Sequence, residues 1–274
     1  MRVVTVDLPA SGYGARAATL TAYAQDNVAA HEGRLRPAVV ICPGGGYEFC
    51  SDRESEPVAL EFLARGFQAF VLDYTVLDQD EQRELLPFPQ RDLAHAVALV
   101  RERAAEWSVD PARVCTLGFS AGAHLCASYA WLSRRPSFAR ELALELDDIA
   151  VDAQMLCYPV IDLSAGWPSD AAQTARISSN AELLALQNTV DEGTPRTFLW
   201  HTASDDGVPV RNSYRYAAAL AERGVDHELH VFHRGPHGMS LATRQAAKDE
   251  RYENARVATW VDLACGWLME GDAQ

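Results

Sequence analysis

The sequence predicts an α/β fold built on a doubly wound, mostly parallel sheet, and three observations carry that reading. Several apolar runs of strand length, at residues 37–42, 67–72, 151–158 and 197–201, lack polar alternation, as strands covered on both faces require. Helix-length stretches with apolar residues at helical spacing stand between them, and strand, helix, strand in this order implies a right-handed crossover and parallel neighbours. The chain has 274 residues, 48% of them hydrophobic, which suits one large core. A single domain over residues 1–274 is therefore expected.

Taken in order, residues 3–8 and 18–24 alternate in polarity around Gly12 and Gly14, which predicts an antiparallel pair at a sheet edge. The buried run 37–42 empties into Pro43-Gly44-Gly45-Gly46-Tyr47. Ser55 stands where it can cap a helix reaching Arg65, with Pro57 in the first turn and Gly66 at the end. After the strand at 67–72 and a loop holding Pro87 and Pro89, Leu93, Ala96, Val97, Val100 and Ala104 trace one side of a helix ending near Trp107. Asp110-Pro111 turns the chain into the strand before Ser120; helices follow at 121–131 and 138–146, then the strand at 151–158.

Residues 161–195 differ in kind. They mix Pro, Gly, Ser and Asp, with one short helical stretch at 181–186 and no strand run. They read as an insertion over the carboxyl edge of the sheet, where loops build sites in this class, and Trp167 is a candidate for the wall of a pocket there. Beyond the strand at 197–201, a helix with Tyr214, Ala217, Ala218 and Ala221 on its inner side stops at Gly224. Residues 226–232 alternate as a strand, and a last helix carries Val257, Val261, Ala264, Cys265 and Leu268 on its covering face.

A formal charge of −14 argues against nucleic acid or an anionic membrane surface as a partner, because both need basic patches. The six cysteines show no metal-type spacing, and most lie in apolar runs, which fits a reducing cytoplasm. Residues 1–7 lack the apolar core of a signal peptide, and no apolar run approaches membrane-spanning length. A cytoplasmic protein is expected, either a monomer or a homo-oligomer.

The chemistry centres on Gly118-Phe119-Ser120-Ala121-Gly122, where a strand-like run meets a helix-like one. Glycines on both sides let strand and helix pass close to a serine in a strained turn, which pushes its hydroxyl into the open. Three adjacent glycines after the buried run 37–42 free backbone amides to meet a developing negative charge. A carboxylate in Ser204-Asp205-Asp206-Gly207-Val208-Pro209 and a histidine in Gly235-Pro236-His237-Gly238 also follow strands. Serine, aspartate, histidine is the chain order of the α/β-hydrolase arrangement. Ser120 would attack an ester carbonyl, His237 would take its proton, and an aspartate would orient the imidazole. The amides of Gly45, Gly46 and Ala121 would form the oxyanion hole.

Of the two aspartates, Asp205 lies nearer the strand end, while Asp206 beside Gly207 suits a turn. His201 and His233 rival His237; His124 is too local to Ser120, and His227 and His230 lie inside a strand. A metal site from Asp205, Asp206, His201 and His237 lacks a compact ligand pair. Bulky Tyr47 and Phe49 beside the glycine loop are candidates, with Trp167, for substrate contact.

The run Pro43-Gly44-Gly45-Gly46-Tyr47, then Ser51-Asp52-Arg53-Glu54-Ser55-Glu56-Pro57 and Phe70-Val71-Leu72-Asp73-Tyr74, resembles the small intracellular α/β-hydrolases related to acetylxylan and acetyl-carbohydrate esterases. The serine and histidine motifs are similar too, and the resemblance spans residues 37–245. It implies a cofactor-free carboxylic-ester hydrolase that removes short acyl groups, acetyl above all, from sugars or xylo-oligosaccharides. The family's aspartate three residues before Val-Pro corresponds to Asp205. Pro43 stands where relatives of the hormone-sensitive-lipase type carry a histidine, and Asp73 where a basic or neutral residue is expected. Some members of the group are labelled xylanases, but glycoside hydrolysis needs two facing carboxylates, whereas this pattern supplies a serine. A serine peptidase of the prolyl-oligopeptidase kind shares the catalytic order but usually carries a large extra domain. A noncatalytic binding module would not need an intact serine, glycine loop and histidine.

Overall fold

The computed structural model describes residues 1–270. Eight strands form one sheet: β1 (Arg2–Asp7), β2 (Thr19–Ala24), β3 (Arg36–Cys42), β4 (Gln68–Asp73), β5 (Val109–Phe119), β6 (Ala153–Cys157), β7 (Arg196–Thr202) and β8 (His227–Phe232). Their order across the sheet is β1-β2-β4-β3-β5-β6-β7-β8. The β1–β2 and β2–β4 pairs are antiparallel, and every other pair is parallel. This is the architecture of an α/β-hydrolase.

The helices are α1 (Glu56–Ala64), α2 (Phe88–Glu102), α3 (Ala104–Trp107), α4 (Ala121–Leu132), α5 (Pro136–Glu141), α6 (Leu146–Ile149), α7 (Ala171–Ile177), α8 (Ala181–Leu184), α9 (Arg211–Glu222) and α10 (Trp260–Glu270). The period of two along each strand divides the apolar residues between two cores. Ala38, Val40 and Cys42 of β3 join α2, α4 and α9 in one core, whereas Val39 and Ile41 join α1 and α10 in the other. Burial on both faces explains why the parallel strands read as unbroken apolar runs. Among the described residues no helix is long and apolar enough to cross a membrane.

Several local expectations are corrected. Ser55 occupies the position before α1 but gives it no side-chain cap; its hydroxyl donates to the Ser51 carbonyl at 2.8 Å. The helix expected to run to Trp107 breaks at Arg103 into α2 and α3, and residues 138–146 hold no single helix, only α5 and α6 around a short connection. Asp110 and Pro111 fall within β5, where the register against β3 shifts between Arg36 and Ala38. The inner face of α9 is Ser213, Tyr216, Ala217 and Leu220; Tyr214 points outward, because four alanines in the helix give apolar spacing no unique phase. Residues 161–195 carry α7 as well as α8, and a bridge pairs Asp162 with Ala185.

Asp92 of α2 is fully buried, and one of its oxygens accepts the Thr75 amide at 2.7 Å. Burial pushes its carboxyl up to about 6, only partly offset by the bond from Thr75. The folded protein therefore binds this proton more tightly than the unfolded chain between about pH 4 and 6, so this group lowers stability as pH rises across that window. Asp92→Asn removes the penalty: urea unfolding should show the variant more stable than wild type by about 1–3 kcal/mol at pH 7 and equal to it near pH 4.

Candidate active site

Four strands of the parallel sheet, β3, β5, β7 and β8, deliver the site beyond their carboxyl ends. Ser120 joins β5 to α4 with φ 54° and ψ −114°. A Cβ on Gly118 would lie 2.3 Å from the Gly122 carbonyl oxygen, and one on Gly122 2.1 Å from that of Cys42, so both positions exclude any side chain. The turn is pinned by the Ser120 amide, which donates to the Cys157 carbonyl at 3.0 Å, and by the Val160 amide, which donates to the Ser120 carbonyl at 3.2 Å.

The Ser120 hydroxyl lies 2.7 Å from His237 Nε2, and His237 Nδ1 lies 2.9 Å from Asp205 Oδ2. A carboxylate only accepts, so the imidazole carries its hydrogen on Nδ1 and turns the Nε2 lone pair to the serine. The second Asp205 oxygen accepts the amides of Gly207 and Val208 at 2.9 and 2.8 Å. Burial raises the Asp205 carboxyl, but hydrogen bonds from His201 and His237 outweigh it and hold the group well below the usual carboxylate range. Asp206 has a different place: its Oδ1 accepts the His237 backbone amide at 3.0 Å.

The other histidines are accounted for by their surroundings. His201, fully buried in β7, lies 3.0 Å from the Val208 carbonyl and 3.2 Å from Asp205 Oδ2 through Nε2. Both oxygens only accept, so Nε2 carries the hydrogen and supports Asp205 from behind, while Nδ1 accepts from the Ser213 hydroxyl at 2.8 Å. His233 is exposed beside Arg234. His124 is buried between the Tyr47 hydroxyl and the Leu183 carbonyl, both at 2.9 Å, and burial lowers it to about 4. Among the described residues no cluster of three ligating side chains is arranged for a metal ion.

The glycine loop borders the serine, since a Cβ on Gly44 would lie 3.1 Å from Ser120 Cβ. The amides of Gly45 and Gly46 find no acceptor among the described residues. Ala121 opens α4, so its amide has no acceptor within the helix. All three are free to receive a ligand oxygen.

One of the proposed substrate contacts lies elsewhere. Tyr47 is fully buried, held at φ 62° with its hydroxyl on His124, so it anchors the glycine loop from beneath instead of walling a pocket. Phe49 is 58% exposed; its ring stands 3.1 Å from where a Gly45 Cβ would be, at the glycine loop, and it also lines a cleft of about 990 Å³ with Arg16, Leu60 and Asp73, to which Ser120 and His237 do not contribute. Asp73 pairs there with Arg16. Trp167 does reach the site: its ring is 3.4 Å from where a Gly46 Cβ would be. Reading the sequence missed His201 as a support for Asp205, and missed Glu54 and Tyr158, whose hydroxyl and carboxylate meet at 2.5 Å beneath the site. The spacing His201-x-x-x-Asp205 and the charged run at 52–54 were the available signals.

A serine, an imidazole and a carboxylate in this relay, beside unpaired amides, are what acyl transfer requires. The BD-FAE family model matches residues 27–220. The chain belongs to the BD-FAE family. An endo-1,4-beta-xylanase B of Butyrivibrio fibrisolvens is 36% identical over 213 residues, which cover 76% of this chain and 33% of that relative. This chain thus spans about a third of that curated relative's length. Among solved structures, the carboxylesterase Cest-2923 from Lactobacillus plantarum superposes with a TM-score of 0.92 at 33% identity, covering 99% of this chain and 98% of that one. An acetyl ester-xyloside bifunctional hydrolase from Caldicellulosiruptor lactoaceticus gives 0.73 at 31% identity over 95% and 90%.

Ser120→Ala should lower the kcat of ester hydrolysis by at least about 10⁴-fold with the fold intact. Asp205→Asn should cost about 10³–10⁴-fold, because Asn presents the wrong partner to Nδ1, while Asp206→Asn keeps an oxygen for the His237 amide and should cost less than about tenfold. Steady-state rates with matched circular dichroism spectra check both; the reverse ranking of the aspartates would contradict the geometry.

Proposed function

We propose that this member of the BD-FAE family hydrolyses carboxylic esters with short acyl groups, acetyl esters of sugars or xylo-oligosaccharides in particular. The observation that carries the reading is the Ser120 hydroxyl 2.7 Å from His237 Nε2, with Asp205 2.9 Å from Nδ1. In this mechanism His237 takes the hydroxyl proton as Ser120 Oγ bonds to the ester carbonyl carbon. The negative oxygen rests against the amides of Gly45, Gly46 and Ala121. Collapse breaks the bond to the sugar oxygen, which leaves with the proton from His237. Water then enters and gives a proton to His237 as its oxygen bonds to the acyl carbon; collapse breaks the bond to Ser120 Oγ, which takes that proton back from His237 as the acetyl group leaves as acetic acid.

Support for the acyl class comes from the relatives named as a carboxylesterase and as an acetyl ester-xyloside hydrolase, both matched over at least nine-tenths of each chain. The xylanase name belongs to a relative of which this chain covers a third. Support for a short acyl chain is the half-buried Trp167 against Gly46, on the rim of the oxyanion loop. The Phe49 ring borders the same loop, 3.1 Å from where a Gly45 Cβ would be, so Trp167 and Phe49 are the bulky side chains placed to limit the pocket. The substrate is a small ester and the reaction needs no cofactor.

A panel of p-nitrophenyl esters from acetyl to octanoyl, run beside acetylated xylo-oligosaccharides, tests the reading. Highest kcat/KM for acetyl, with acetate released from the oligosaccharides, is the expected result. Preference for octanoyl would overturn the acetyl reading, and no hydrolysis of any ester would overturn the esterase reading.

A further inference from the structure

The charged run Ser51-Asp52-Arg53-Glu54-Ser55 is used by no step of the mechanism, yet it reaches both halves of the site. Glu54 is 3% exposed, and it has no ion-pair partner among the described residues. Its Oε2 accepts the Gly44 amide at 2.7 Å, and its Oε1 accepts the Tyr158 hydroxyl at 2.5 Å. The Tyr158 oxygen in turn accepts the Ser240 amide at 2.9 Å, and the Tyr158 ring meets the His237 ring edge-on at 5.2 Å. Arg53 works alongside: Nη1 donates to the Gly238 carbonyl at 3.1 Å, and its own carbonyl accepts the Ser240 hydroxyl at 2.6 Å. One buried carboxylate thus ties the glycine loop to the loop that carries His237.

We infer that Glu54 is the positioning residue of the oxyanion hole, holding the Gly44 amide turned away from Ser120 so that the next two amides, of Gly45 and Gly46, meet the oxyanion. Three features of the loop support this. The Gly44 amide is consumed by Glu54 and cannot serve a ligand, which assigns that task to its neighbours. A Cβ on Gly44 would stand 2.8 Å from Glu54 Oε2 and 3.1 Å from Ser120 Cβ, so only glycine lets the carboxylate and the serine close on the loop from two sides. The loop also has a second anchor at Tyr47, whose hydroxyl meets His124, so the two amides lie between fixed points. A carboxylate suits the task because each of its oxygens accepts one donor; an amide in the same place would turn its NH2 group toward one of the two.

The inference rests on the esterase reading above, and the test separates the two. A thiono ester, with C=S in place of C=O, draws less from an oxyanion hole because sulfur is a weak acceptor. With matched aryl acetate and aryl thionoacetate, Glu54→Gln in the full chain should lower kcat on the oxygen ester by about tenfold or more, with KM changed less than about twofold. On the thiono ester the loss should stay under about threefold. Equal losses on both esters would mean that Glu54 serves the fold alone and would overturn the inference while leaving the esterase reading intact. An inactive wild type would overturn the esterase reading itself. If Glu54→Gln fails to fold, Tyr158→Phe frees one Glu54 oxygen and should give the same selective loss in smaller measure; equal losses there are equally decisive against it.

Discussion

Ser120 holds a backbone conformation that few non-glycine residues adopt, φ 54° and ψ −114°, at a cost on the order of 1–3 kcal/mol. Such a conformation persists only where its surroundings over-determine it. Here the hydrogen bonds to Cys157 and Val160 tie the turn to the neighbouring strand and its exit, while the missing side chains at 118 and 122 let α4 pack onto the ends of β3 and β5. The parallel order β3-β5-β6-β7 is what brings these partners to one edge. The glycine loop follows β3, the serine β5 and the aspartate β7, so the sheet sets the spacing of the chemistry.

Electrostatics is layered outward from Asp205. Its carboxylate accepts from two imidazoles and two amides, so a nearly dry charge is stabilised by donors that cannot rearrange. That fixed charge would favour an imidazolium at His237, and His201 holds the carboxylate from a second side. On the other side of the serine, the glycine loop has its donors unpaired and its ends anchored, at Gly44 by Glu54 and at Tyr47 by His124. Preorganisation of this kind spares the protein from reorienting dipoles as the charge develops.

The parallel strands, the serine turn and the preference for Asp205 over Asp206 were legible because each depends on local signals: apolar runs, glycines at fixed offsets, distance from a strand end. Helix faces were less so. In α9, alanines blurred the phase, and the tertiary contacts of Tyr216 decided it. Tyr47 departs from the expectation because adjacency to a loop does not say which way a side chain leaves it; its positive φ turns its ring into the core. His201 and Glu54 act through partners four to more than a hundred positions away, and spacing alone does not reveal such pairings.

The proposed function stands on Ser120 as a nucleophile activated by His237. The most direct measurement is intact-mass spectrometry of the protein after reaction with a fluorophosphonate, followed by peptide mapping. One adduct per chain, on the peptide containing Ser120 and lost when His237 is replaced by Ala, is the predicted result. No adduct, or an adduct on another residue with Ser120 untouched, would contradict it.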